Sequence, residues 1–211
     1  MARDDSSKLK ALGEAAARLG KVDMQAAEAM EPYAAMPWLE PLSDLGDQPQ
    51  LRTISVALIT AGLAGGRRSS WGPRLVRAGA RMLIAHQLAT MAKNFVKYRV
   101  DRTRPRSRRR PGKDHRIAPG TARAKEETSF PSGHAAGAAA VARAFAREFP
   151  EHRVAAGAAG GALALVQVPR CAHYPTDIAA GIAIGLAAEA AVAALWPAHP
   201  TEELEPSICE S

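Results

Sequence analysis

From Ile178 to Trp196 the chain reads "IAAGIAIGLAAEAAVAALW", a stretch whose one ionisable side chain is Glu189. Alanine is the strongest helix former, and the stretch approaches the roughly 20 apolar residues needed to cross a bilayer. Any fold for this chain must therefore house a long apolar helix, either in a membrane or at the centre of a bundle. Gly181 and Gly185 stand four apart within it, the small-xxx-small spacing that lets a second helix come close.

Other apolar runs precede it: Ile54 to Gly66, Leu75 to Phe95 (which carries Arg77, Arg81 and His86) and Val154 to Val168. Nowhere do apolar and β-branched residues alternate over a strand's length, so the sequence predicts an all-α chain. Helices are expected at about 51–66, 74–97, 132–148, 152–168 and 176–197, with an amphipathic one over 5–30, giving a bundle of about five to six helices. In that first helix Leu9, Leu12, Ala16 and Leu19 keep the helical period, while Lys8, Lys10, Glu14 and Arg18 lie elsewhere on the wheel. It reads as a surface helix, with a lipid interface as the other setting. Pro32, Pro37, Pro41 and Pro49 make residues 31–50 a turn-rich connector. The chain thus divides into an N-terminal helix and connector (1–50), a helical core (51–197) and an acidic tail (198–211) expected to fray.

The opening "MARDDSSKLK" has no apolar stretch behind its charges, so no cleavable signal peptide is expected. Cys171 and Cys209 are too few for a disulfide framework or a cysteine metal cage. A mean hydropathy of −0.16 is low for a membrane protein. The residues alone leave both a membrane-embedded and a soluble bundle open.

The net charge of +7 favours acidic partners: phosphate groups, anionic lipid or nucleic acid. Much of it lies between Lys97 and Lys125, which holds 12 of the 28 lysines and arginines and, as acids, Asp101 and Asp114. Taken by itself, such a block is a solvated arm for nucleic acid or an anionic surface. It lacks the interleaved aromatics that stack bases, and no nucleic-acid module accompanies it. Lys97 and Arg104 are seven apart, two helical turns, and share one face if helix persists that far before Pro105. A cation pair fixed in this way grips a tetrahedral anion from one side.

Two short stretches add chemistry. In "FPSGHAAG" (130–137) a proline suits a helix's first turn, Gly133 lets the backbone approach a ligand, Ser132 offers a hydroxyl, and His134 stands at the rim. The unpartnered N–H groups of that turn make an anion cradle. In "RCAHYPTD" (170–177) His173 and Asp177 are four apart across a helix start near Pro175. A carboxylate holding one ring nitrogen aims the other as nucleophile or base. Asp177 as a plain helix cap, or both as metal ligands with His134 as a third, are the other readings.

Together these residues resemble the type 2 phosphatidic acid phosphatase / vanadium haloperoxidase superfamily, whose signature is K-x6-R-P, then P-S-G-H, then S-R-x5-H-x3-D. Lys97 through Arg104-Pro105 completes the first part, Pro131-Ser132-Gly133-His134 the second, and His173 with Asp177 the core of the third. One departure stands out. Where the family places serine and arginine, this chain has Val166 and Gln167, and Arg170, about one turn on, is expected to supply the missing cation.

The resemblance implies a phosphatase acting on a lipid phosphate, of the phosphatidate or polyprenyl diphosphate class, without metal or cofactor. It implies His173 as nucleophile forming a phosphohistidine, Asp177 as its partner, and His134 as general acid and then base. Lys97, Arg104, Ser132, Gly133 and Arg170 would hold the phosphate. It further implies a multi-pass protein of a bacterial inner membrane, in contact with membrane lipid. The similar haloperoxidases are much larger and soluble. A non-catalytic protein that binds anions or nucleic acid through 99–125 is the competing reading.

Overall fold

The computed structural model describes residues 2–66, 69–109 and 117–197. The acidic tail 198–211 and part of the basic segment, 110–116, lie outside the described residues. Among the described residues there are seven α-helices: α1 (Ala2–Met30), α2 (Leu39–Asp44), α3 (Gln48–Gly65), α4 (Gly72–Lys97), α5 (Gly133–Glu148), α6 (Arg153–Leu165) and α7 (Pro175–Leu195). The last five form the bundle expected from the apolar runs, with α5 as its axis.

Alanine explains why α5 can be central. Ala135, Ala136, Ala138, Ala140 and Ala144 are at most 1% exposed, and a helix this thin admits neighbours at backbone distance. α4, α6 and α7 pack on it, and α3 packs chiefly on α4. The glycine pair of α7 does what its spacing suggested. A Cβ at Gly181 would stand 2.5 Å from the Ser132 carbonyl oxygen, and one at Gly185 would collide with that of Ala136. The core proper joins Leu51, Met82, Ala85, Ala89, Val141, Ala188 and Val192.

Several ionisable groups within the apolar helices are turned inward and paired. Arg81, fully buried, donates to Glu148 (3.1 Å), as does Arg77 (3.1 Å), and Glu189 accepts from Arg147 (2.6 Å). Among the described helices, α7 alone is long and apolar enough to cross a membrane by itself. The shorter or more charged α3, α4 and α6 do not reach that level.

Two departures from the sequence reading concern the basic segment. Helix does not persist from Lys97 to Arg104: α4 ends at Lys97, and the chain turns into strand β1 (Val100–Arg102), antiparallel to β2 (Ile117–Pro119), with Asp101 opposite Ala118. The described part is also no solvated arm. Arg102 and Arg104 are buried, and Arg99 and Arg123 lie over the rings of Phe95 and Tyr98.

Candidate active site

The ends of α4, α5 and α6, the start of α7 and the connector before α3 surround a cleft of about 530 Å³. Lys97, Arg104, Gly133, His134, Arg170 and His173 all line it, so six of the eight site residues expected from the sequence meet there. The other two stand behind the wall. Ser132 is fully buried and is the N-cap of α5, its Oγ accepting from Ala135 N at 3.4 Å. Asp177 is fully buried in the first turn of α7 and accepts from the backbone N–H of Tyr174 at 2.9 Å.

His173 is held in one tautomer. Its Nδ1 lies 2.8 Å from the Ser129 carbonyl oxygen, which can only accept, so Nδ1 carries the proton. Its Nε2 lies 3.3 Å from Arg104 Nη1, which can only donate, so Nε2 is the unprotonated nitrogen of a ring that lines the cleft. Burial, the largest influence, pushes the imidazole down to about 4 against the opposing pull of Asp177, with Arg104 lowering it further. The turn bearing it passes through Cys171 in the left-handed region (φ 50).

Asp177 meets His173 differently from the expectation. Its Oδ2 is 3.6 Å from Nδ1, beyond a hydrogen bond, because the Ser129 carbonyl has taken that proton. The carboxylate is instead fixed by Arg102 (2.6 Å) and by the Ser129 hydroxyl. Arg102 is in turn held by Asp23 of α1 at 2.5 Å, and Asp23 also accepts from the backbone N–H of Thr176 at 3.1 Å.

The N-terminal segment thus builds part of the site. Besides Asp23, Asp47 Oδ1 lies 2.8 Å from His134 Nε2, and Ser43 Oγ lies 3.5 Å from the same nitrogen. Ser43 also accepts from Gln167 Nε2 (2.8 Å) and from Arg170. Arg170 reaches the cleft, but its other nitrogen sits 3.6 Å from the Glu40 carboxylate, so its charge is partly offset there.

Sequence reasoning missed Lys93, Asp47, Ser43, Asp23 and Arg102. Only Lys93 had a local signal, its i, i+4 spacing to Lys97. Lys93 and Lys97 both line the cleft, and among the described residues neither has a carboxylate within ion-pair distance. Burial lowers Arg104 to about 10, with Arg106 as the next contribution. Among the described residues, no three His, Cys, Asp or Glu side chains converge on a metal position.

A helical bundle with two imidazoles in a cation-lined cleft defines the class. Residues 78–200 match the family model of the PAP2 superfamily, and the chain belongs to that family. It is 32% identical over 159 residues to the lipid A 1-phosphatase of Rhizobium etli, covering 69% of this chain and 65% of that protein. A lipid A 1-phosphatase of Rhizobium johnstonii is also 32% identical, with 62% of its length covered. The match therefore spans less than two thirds of either relative. In fold, the chain resembles the transmembrane PAP2-type phosphatidylglycerolphosphate phosphatase of Bacillus subtilis. The TM-score is 0.59 at 20% identity, covering 92% of this chain and 96% of that one.

Proposed function

We propose that this protein is a membrane-embedded lipid phosphatase that cleaves a phosphate ester or diphosphate through a phosphohistidine. The observation that carries the reading is the meeting, in one cleft, of an unprotonated His173 Nε2 with two cations, the half-buried Lys97 and the buried Arg104. The Nε2 lone pair attacks phosphorus as the ester P–O bond opposite it breaks. The departing lipid oxygen takes a proton from His134. A water then attacks the phosphohistidine and gives its proton to His134, the P–N bond breaks, and His173 is restored. Lys97, Arg104 and the N–H of Gly133 hold the equatorial oxygens, where transition-state charge collects. Asp177, close to Nδ1, steadies the positive charge the ring gains.

The membrane part of the reading rests on the outer surface. The segments 53–66 of α3 and 154–165 of α6 carry no charged residue, and the charged groups of α7 are buried. On α4, Ile84, Leu88, Met91 and Phe95 are exposed in a row. With Arg81 and Glu189 paired inside, this is a charge-free belt suited to several spans. Lipid phosphates are the matching substrate class, and the names of the relatives put lipid A and phosphatidylglycerolphosphate beside phosphatidate and polyprenyl diphosphate.

The test is phosphate release from those four lipids in detergent with a chelator present. The wild type should release phosphate from at least one, and His173→Ala should lose about 10³-fold or more. Release from none of them, together with tight nucleic-acid binding of steep salt dependence, would instead support the non-catalytic anion-binding reading.

A further inference from the structure

The cleft holds a cation that the three motifs do not account for. Lys93 lies one turn before Lys97 on α4, so their ammonium groups share a face. It is 8% exposed, and its Nζ stands 3.5 Å from where a Cβ on Gly133 would be. It therefore lies against the cradle at the entrance of α5. Among the described residues no carboxylate is within ion-pair distance of it. An ammonium buried in this way is costly unless an anion arrives.

The neighbours divide the roles. Gln167 is neutral and spends its amide N–H on Ser43. Arg170 is tied to Ser43 and lies beside Glu40 and Gln167 Oε1. Lys93 alone among these three brings a charge that no acid offsets.

We propose that Lys93 is a phosphate-binding residue of this site and supplies the positive charge that Gln167 lacks and Arg170 shares with Glu40. The inference rests on the phosphatase reading and deepens it: the site takes a dianionic phosphate in preference to a monoanion.

The experiment is thermal unfolding of the purified full chain in detergent, with and without inorganic phosphate, for wild type and the Lys93→Met, Lys93→Arg, Lys97→Met and Arg170→Met variants. Phosphate that binds the native state raises Tm. Lys93→Met should weaken phosphate binding by about 10- to 100-fold, Lys93→Arg by less, and Arg170→Met by less than Lys93→Met. Without phosphate, Lys93→Met should melt at or above the wild-type temperature, because an unpaired buried charge is gone. The preference for phosphate above its second ionisation should flatten in Lys93→Met. A Lys93→Met protein that melts lower without phosphate but binds it like wild type would overturn the proposal. So would Arg170→Met losing more binding than Lys93→Met. If neither wild type nor Lys97→Met responds to phosphate, the phosphatase reading itself fails.

Discussion

His134 Nε2 and Asp47 Oδ1 are 2.8 Å apart, across a gap of 87 residues that joins the entrance of α5 to the connector before α3. Burial, the largest influence, lowers the imidazole of His134, and the Asp47 carboxylate opposes it by favouring the imidazolium, the form that would protonate the leaving oxygen in the proposed mechanism. Removing that carboxylate should narrow the pH range in which His134 carries its proton. Asp47→Asn is expected to shift the basic limb of kcat/KM to lower pH and to cost roughly tenfold at the alkaline side. Asp47 is half-exposed, so Tm should hardly change. Arg104 and Arg170 also face His134. The shift should therefore persist at high salt only in part, since exposed charge is screened. A pH–rate profile of the variant checks this, and Asp47→Glu should restore most of the range.

His173 gives a second pH signature. Held down to about 4 chiefly by burial, it stays neutral in the free enzyme throughout the neutral range. The acid limb of kcat/KM due to the nucleophile should fall near pH 4 rather than at the ordinary histidine value near 6.5. Stability follows with a definite sign. Between about 6.5 and 4 the unfolded chain binds a proton at this position that the native state refuses, so stability is lost as pH falls through that window. The slope is about 1.4 kcal/mol per pH unit for this one group. Melting curves of wild type and His173→Gln over that range should differ by this component.

Among the described residues Asp23 bonds to Arg102 and Thr176 rather than to a cleft-lining group, and Arg102 holds Asp177. Asp23→Asn is expected to lower kcat by about tenfold while leaving KM within about twofold, because positioning is lost and binding is not. Arg102→Met should be far worse, since it strands a buried carboxylate at a cost of about 3–5 kcal/mol. Steady-state kinetics and a detergent melting curve separate the two.

Gly185 allows α7 to lie against the backbone of α5. Gly185→Val should force the helices apart and destabilise by about 1–3 kcal/mol or more. Gly181→Val should add a loss of activity, because the carbonyl it would press is that of Ser132, next to the cradle. Tm and kcat, measured on both variants, give the comparison.

What the sequence made legible has a common character. The helices follow from composition, and Lys97, Arg104, Gly133, His134, His173 and Asp177 stand in short patterns whose chemistry is local. The cation pair was expected for a partly wrong reason: a continuing helix was to align Lys97 with Arg104, whereas the chain leaves the helix for a short strand, paired to residues 15 to 19 further on, just before Arg104. Arg102 looked like one more charge in a basic run, and only its buried ion pairs distinguish it. Asp23, Ser43 and Asp47 sit in a surface-like helix and a proline-rich connector, and their partners in the site lie 79 to 153 residues away. No periodicity carries that information. The belt proposed to face the membrane was only partly readable, since Arg77, Arg81 and Glu189 mask it in the sequence and their pairing appears only when α4, α5 and α7 are packed.

The most direct measurement is the location of covalent phosphate during turnover. Wild type and His134→Ala, quenched into base with a lipid phosphate that the wild type hydrolyses, should carry phosphate on His173. It should be lost in acid and be absent from His173→Ala treated in the same way. Phosphate on another side chain, or full turnover by His173→Ala, would contradict the account.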